Sequence, residues 1–239
     1  LGDVYKRQVY NHIGNFAAAG EASCRSIFFG GVASRFPKLR FGFLEGGVAW
    51  AANLYSDILG HFEKRNPETI RHYDPKALDR ALLKTLFEEH APKAMAESLD
   101  RLDDATFMLS DPNESEDALD EFAEAGVTSR EDIQRIFEQR FYFGCEADDP
   151  MNAIAFDSGK IPMKTRLNAV FASDIGHWDV PDFRNVLPEA WELIEDGHLD
   201  HADFRAFACD NAIGLFAGGN ADFFEGTVIA DYAKARGSA

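Results

Sequence analysis

Apolar positions along this chain follow two regimes. Most segments repeat with a helical period, while three short runs are nearly continuous. Ala18, Ala22, Ile27, Phe28 and Val32 share one side of a helix predicted over 16–35, with no proline before Pro37. Trp50, Leu54 and Ile58 stand at i, i+4 and i+8 and predict a helix from Val48 to Lys64. The three dense runs are Leu39 to Glu45, closed by Gly46-Gly47, then Arg140 to Cys145, then Leu167 to Ser173. Each is too short for a stable helix and the right length for a buried strand.

Between the first and second runs the pattern is helical. Asp74-Pro75 predicts a cap with proline at the first helical position, ahead of a stripe of Leu78, Leu82, Leu83, Leu86 and Phe87. Ser115 predicts the cap of a helix carrying Leu119, Phe122 and Ala123 and stopping near Gly126. Ser129 with Asp132 has the spacing of a capping box before Ile133, Ile136 and Phe137. Beyond the third run, Asp200 and Asp203 predict the start of a helix that bears Phe204 and Phe207 and runs toward Gly218-Gly219. Strands alternating with helices predict an α/β fold with a parallel sheet.

Charge narrows the partners. The net charge is −17, and residues 97–149 hold 17 acidic side chains against 4 arginines and no lysine. That acidity argues against nucleic acid and anionic membranes. Residues 97–139 read as an acidic helical insertion with a solvated face. No apolar run is long enough to span a bilayer. Cys24, Cys145 and Cys209 are odd in number and far apart, which predicts no disulfide framework and a reducing, cytoplasmic setting. Residues 1–8, LGDVYKRQ, read as a non-native segment resembling translated adapter sequence, with 9–239 as one domain portion.

Candidate chemistry gathers at the strand ends. The runs finish in Glu45, Glu146 and Asp174, and parallel sheets carry their sites at those carboxyl ends. The third run continues as Ser173-Asp174-Ile175-Gly176-His177-Trp178-Asp179. A carboxylate there can ligate a divalent ion or take a proton, and an imidazole three residues on can orient it or move a proton near neutral pH. Ser-Asp before a loop also serves as a plain turn cap. Cys145 lacks an evident base nearby in sequence and is a poor nucleophile candidate. His198 and His201, at i and i+3, read as solvated capping positions.

This motif resembles the last-strand signature of the amidohydrolase superfamily, in its amidohydrolase-related branch of metal-dependent hydrolases and decarboxylases. The segment Phe36-Pro37-Lys38-Leu39-Arg40-Phe41-Gly42-Phe43-Leu44-Glu45-Gly46-Gly47 is similar to that family's sixth strand. The resemblance implies a partial (β/α)8 barrel, comprising strands six to eight with a helical insertion. It implies a divalent metal, Zn2+ by preference, with Asp174 as ligand and proton acceptor. Glu45 and His177 would assist catalysis, and His12, Trp178 and Glu146 would meet a small-molecule substrate. Two departures stand out. Glu45 replaces the histidine of the decarboxylase members, and Gly176 stands where a proline often precedes the His. The family's strand-one ligand pair and strand-five histidine would lie upstream of residue 1, so the parent is expected to be the enzyme and this fragment inactive. The expected reaction is attack of metal-activated water on a carbonyl-type carbon. A non-oxidative decarboxylase on the same scaffold is the alternative, and a non-catalytic helical interaction module is another. A partial barrel would expose apolar strand edges, which predicts aggregation or homo-oligomers.

Overall fold

The computed structural model describes residues 9–10, 13–102, 104, 120–177 and 180–237. Three strands form one parallel sheet in the order β1-β2-β3: β1 (Phe41–Phe43), β2 (Phe141–Cys145) and β3 (Asn168–Phe171). Each lies inside a run expected to be a strand. Phe41, Gly42 and Phe43 pair with Phe141, Tyr142 and Phe143, and β2 continues the register onto Asn168 through Phe171.

Helix α1 (Asn15–Phe29) and the short α2 (Val32–Arg35) replace the single helix expected over 16–35. The break falls at Gly30-Gly31, where Gly31 takes φ 65°, a conformation glycine reaches without strain. A Cβ on Gly31 would also stand 3.1 Å from the Glu124 carbonyl oxygen. Helix α3 (Ala49–Arg65) matches its expected span and buries Leu54, Tyr55, Ile58 and Phe62.

The next helix begins later than its Pro signal. Pro75–Ala77 forms a 3-10 turn, and α4 (Arg80–His90) starts at Asp79, whose side chain accepts from the Leu82 N–H at 2.9 Å. Asp74 instead accepts from the Lys76 N–H within the preceding turn. The leucine stripe is present, but no residue of α4 is buried. Its main neighbours are α5 (Lys93–Ala96) and the 3-10 turn Leu99–Arg101. Ser115 and Leu119 lie outside the described residues. Helix α6 (Glu121–Glu124) is capped by Asp120, and the chain turns at Gly126 with φ 71°. Helix α7 (Arg130–Arg140) opens on the Ser129–Asp132 capping box and buries Ile133, Ile136 and Phe137.

Aromatic residues join these helices to the sheet. The Phe43 and Phe143 rings stack at 5.9 Å, with Trp50 edge-on to both. Phe137 meets Phe141 at 5.2 Å and Tyr55 at 5.0 Å. Beneath them the Tyr55 hydroxyl and Thr165 Oγ1 share a buried hydrogen bond of 2.7 Å. Every residue of β2 is buried, as expected of a central strand covered on both faces.

The second face is covered from the C-terminal side. Helix α8 (Val186–Glu195) leads to α9 (His201–Arg205), which continues through a π-helical turn, Ala206–Asp210, into α10 (Asn211–Ala217). Asp200 caps α9 by accepting from Ala202 and Asp203, whereas Asp203 pairs with Arg166 rather than capping. Phe207 packs on Phe171, while Asn211 Nδ2 donates to the Ala169 carbonyl at 2.7 Å. Farther along, Cβ atoms on Gly214 and Gly218 would meet Tyr142 and Arg40. This run therefore wraps β3 and reaches across the sheet toward β1. Helix α11 (Ala230–Gly237) packs on α10. The result is a helix-rich α/β fold around an open sheet of three strands; among the described residues no further strand extends it into a barrel. No described helix is long and apolar enough to cross a membrane.

The capping box yields a pH prediction. Burial raises the pKa of Asp132, but hydrogen bonds from Thr128, Ser129 and Arg135 outweigh it and bring the carboxyl to about 2. A depressed folded pKa stabilises above the unfolded value, and that contribution disappears as pH falls through the folded one. Asp132→Asn is expected to cost about 2 kcal/mol at neutral pH and to flatten the loss of stability between about pH 5 and about pH 2. Urea unfolding midpoints against pH check this; parallel curves for parent and variant would refute it.

Candidate active site

The site is built where the sheet ends. Pairing closes with the Ala172 N–H on the Cys145 carbonyl at 3.1 Å and the Gly47 N–H on the Gly144 carbonyl at 3.1 Å. Gly144 permits this approach, because a Cβ there would stand 3.0 Å from Leu44 Cα. Beyond these bonds each strand turns away and leaves a carboxylate: Glu45, Glu146 and Asp174.

Asp174 follows β3 in a left-handed conformation, φ 49°, and is partly buried. His177 folds back over it. Its N–H donates to the Asp174 carbonyl at 3.0 Å, and Nδ1 stands 3.4 Å from Oδ2. Gly176 makes the turn with φ 95°. Proline is held near −65°, so this loop cannot take the proline found in the resembled family. Glu146 and Asp174 line one cavity of about 160 Å3, with Asp148, Ser173, Asp182 and Glu189. Asp182 is held below the ordinary carboxylate range by the Arg184 guanidinium, which donates to both its oxygens at 2.8 and 2.6 Å.

Asn152 positions the Glu146 end. It is fully buried and donates from Nδ2 to the Glu146 carbonyl at 2.8 Å. Asp149 starts that turn by accepting from the Met151 N–H. Asp148, Asp182, Glu189 and Asn152 were not singled out from the sequence.

Glu45 is exposed and does not line the Asp174 cavity. Its φ of 62° is rare for a residue with a Cβ, and it makes no ion pair among the described residues. His12 and Trp178 lie outside the described residues. The one Glu-x-His spacing, Glu88-Glu89-His90, falls on α4 rather than on a strand. His198 lines a separate cavity of about 540 Å3 beside Pro150, Ile154, Phe156 and Lys160. His201 packs against the Trp191 ring at 5.6 Å.

Cys145 is not a nucleophile. Its Sγ is buried and donates to the Phe143 carbonyl, and burial with the Asp149 charge pushes the thiol up to about 12. Among the described residues no three His, Cys, Asp or Glu side chains form a set able to hold a metal. What the described residues supply at the strand end is the Asp174–His177 pair. Comparison of the chain with protein-family models, curated proteins and solved structures found no match.

Two outcomes follow from this geometry. Gly176→Ala is expected to cost about 1 kcal/mol by thermal melting, from backbone strain alone, because nothing lies within 4 Å of the added Cβ. An unchanged melting temperature would contradict the left-handed turn. In native protein, iodoacetamide should label partly exposed Cys209 well before the buried Cys24 and Cys145. Peptide mapping reads the order, and early labelling of Cys145 would overturn its assignment.

Proposed function

We propose that β1, β2 and β3 are the sixth to eighth strands of an amidohydrolase-related barrel, and that the enzyme is a metal-dependent hydrolase. One conjunction carries the reading. Four described residues other than glycine have positive φ, and two of them are Glu45 and Asp174, the carboxylates that follow β1 and β3. Such conformations cost about 1–3 kcal/mol each and cluster at functional sites. The parallel order and the His177–Asp174 contact support the same reading.

In this reading a small-molecule substrate enters beside Asp174 and Glu146 and presents a carbonyl-type carbon. As water attacks, one of its protons passes to the Asp174 carboxylate and a C–O bond forms. Collapse breaks the bond to the leaving atom, which receives a proton from the Asp174–His177 pair. Glu45 as an assisting base, and His12 and Trp178 as substrate contacts, are assigned on sequence grounds. The ion that the resemblance implies, Zn2+ by preference, has Asp174 as its candidate ligand in this chain. When bound it supplies Lewis acidity.

Elemental analysis of the protein, in the longest form its gene encodes, tests the reading. Near-stoichiometric divalent metal, at least halved in a folded Asp174→Asn variant, is the expected result. The same variant should lose most hydrolysis of simple esters and amides. Absence of metal, or equal metal in parent and variant, would overturn the proposal. Release of CO2 in place of hydrolysis would replace it with the decarboxylase.

A further inference from the structure

The opposite end of the sheet carries an unassigned feature. Arg40 and Arg140 immediately precede Phe41 and Phe141, which are partners in the parallel ladder. The two arginines therefore lead into neighbouring strands, one residue before the first paired positions, and Arg40 is close enough for its charge to act on Arg140. Like charges held near each other repel. Both side chains are partly buried, so solvent screening is incomplete. Among the described residues neither pairs with a carboxylate, although the chain has 41 acidic residues. Nearby Arg135 does have one, Asp132 at 2.7 Å.

The arrangement is held in place. Arg40 donates to the Pro37 and Leu39 carbonyls at 3.3 and 3.2 Å and to the Tyr142 hydroxyl. The end of α10 presses on both residues through glycines. A Cβ on Gly214 would stand 2.9 Å from the Tyr142 hydroxyl, and one on Gly218 would stand 2.7 Å from Arg40 Nε. Arg140 is the last residue of α7, and Arg40 lies against the end of α10. Each helix C-terminus offsets about half an elementary charge. The helix ends favour the two guanidiniums without neutralising them, and among the described residues no carboxylate does so. Arg140 feels this: burial and the charges of Arg40 and Arg135 lower its pKa.

We propose that Arg40 and Arg140 form a binding site for a phosphate-type oxyanion, with Tyr142 and the glycines of α10 fixing Arg40. The planar forks of two guanidiniums suit such an anion. The site lies at the amino-terminal edge of the sheet, away from Asp174, and stands independently of the hydrolase reading.

Thermal melting in inorganic phosphate, against chloride at matched ionic strength, is the test. Phosphate should raise the melting temperature saturably. Arg40→Gln and Arg140→Gln should each lose that rise, while Arg135→Gln keeps it. In chloride alone, Arg140→Gln should melt at or above the parent, because the repulsion is gone. If Arg140→Gln fails to fold, Arg140→Lys read by phosphorus NMR titration serves instead, with an apparent Kd about tenfold weaker than the parent's expected. An equal rise in chloride, or a full phosphate response in the arginine variants, would overturn the proposal.

Discussion

The register between β1 and β2 is the constraint on which the rest depends. Phe41 and Phe43 lie opposite Phe141 and Phe143, and these rings meet Trp50 and Phe137 from the overlying helices. A slip by one residue would turn every ring to the other face. It would also place Gly42, Tyr142 and Gly144 against helices shaped for phenylalanine. Because the register is held, Glu45 and Glu146 emerge at one end of the sheet while Arg40 and Arg140 lead into the strands at the other. Both candidate sites are consequences of the same aromatic packing.

The two edges of the sheet are treated differently. At β3 the run from α9 to α10 crosses the strand, with Asn211 occupying a backbone carbonyl and Phe207 packed on Phe171. At β1 a groove of about 490 Å3 follows the strand beside Phe16, Ala19, Ser23 and Ile27 of α1. Covering an edge with a helix is one way that proteins block unwanted pairing. The helix that does so here also reaches Tyr142 and Arg40, so edge protection and the geometry of the basic end are coupled through Gly214 and Gly218.

Much of this was legible from local pattern. The three strand runs, the Ser129–Asp132 box and the stop at Gly126 all act within a few residues, and each appears where its chemistry required. The α4 start was misplaced because Asp74-Pro75 and Asp79 are both competent caps, and the proline segment settled into a 3-10 turn. The leucine stripe of α4 marks an apolar face, yet amphipathic period reports only that a face exists, not that anything covers it. The single helix expected over 16–35 rested on the apolar period and on the absence of proline before Pro37, and neither registers the break at Gly30-Gly31. The close approach of Glu124 decides otherwise, and no local pattern encodes it.

The sequence by itself determined the element types, the parallel α/β class and the positions of the strand-end carboxylates. These follow from period, caps and run length, which are local quantities. Tertiary structure alone decided which of those carboxylates share a cavity: Glu146 and Asp174 do, and Glu45 does not. It also decided that Asp148, Asp182 and Glu189 join them, and that two arginines a hundred residues apart become neighbours. Such groupings depend on register and on how crossovers return to the sheet. Those are set by burial of the aromatic faces rather than by any residue's immediate neighbours.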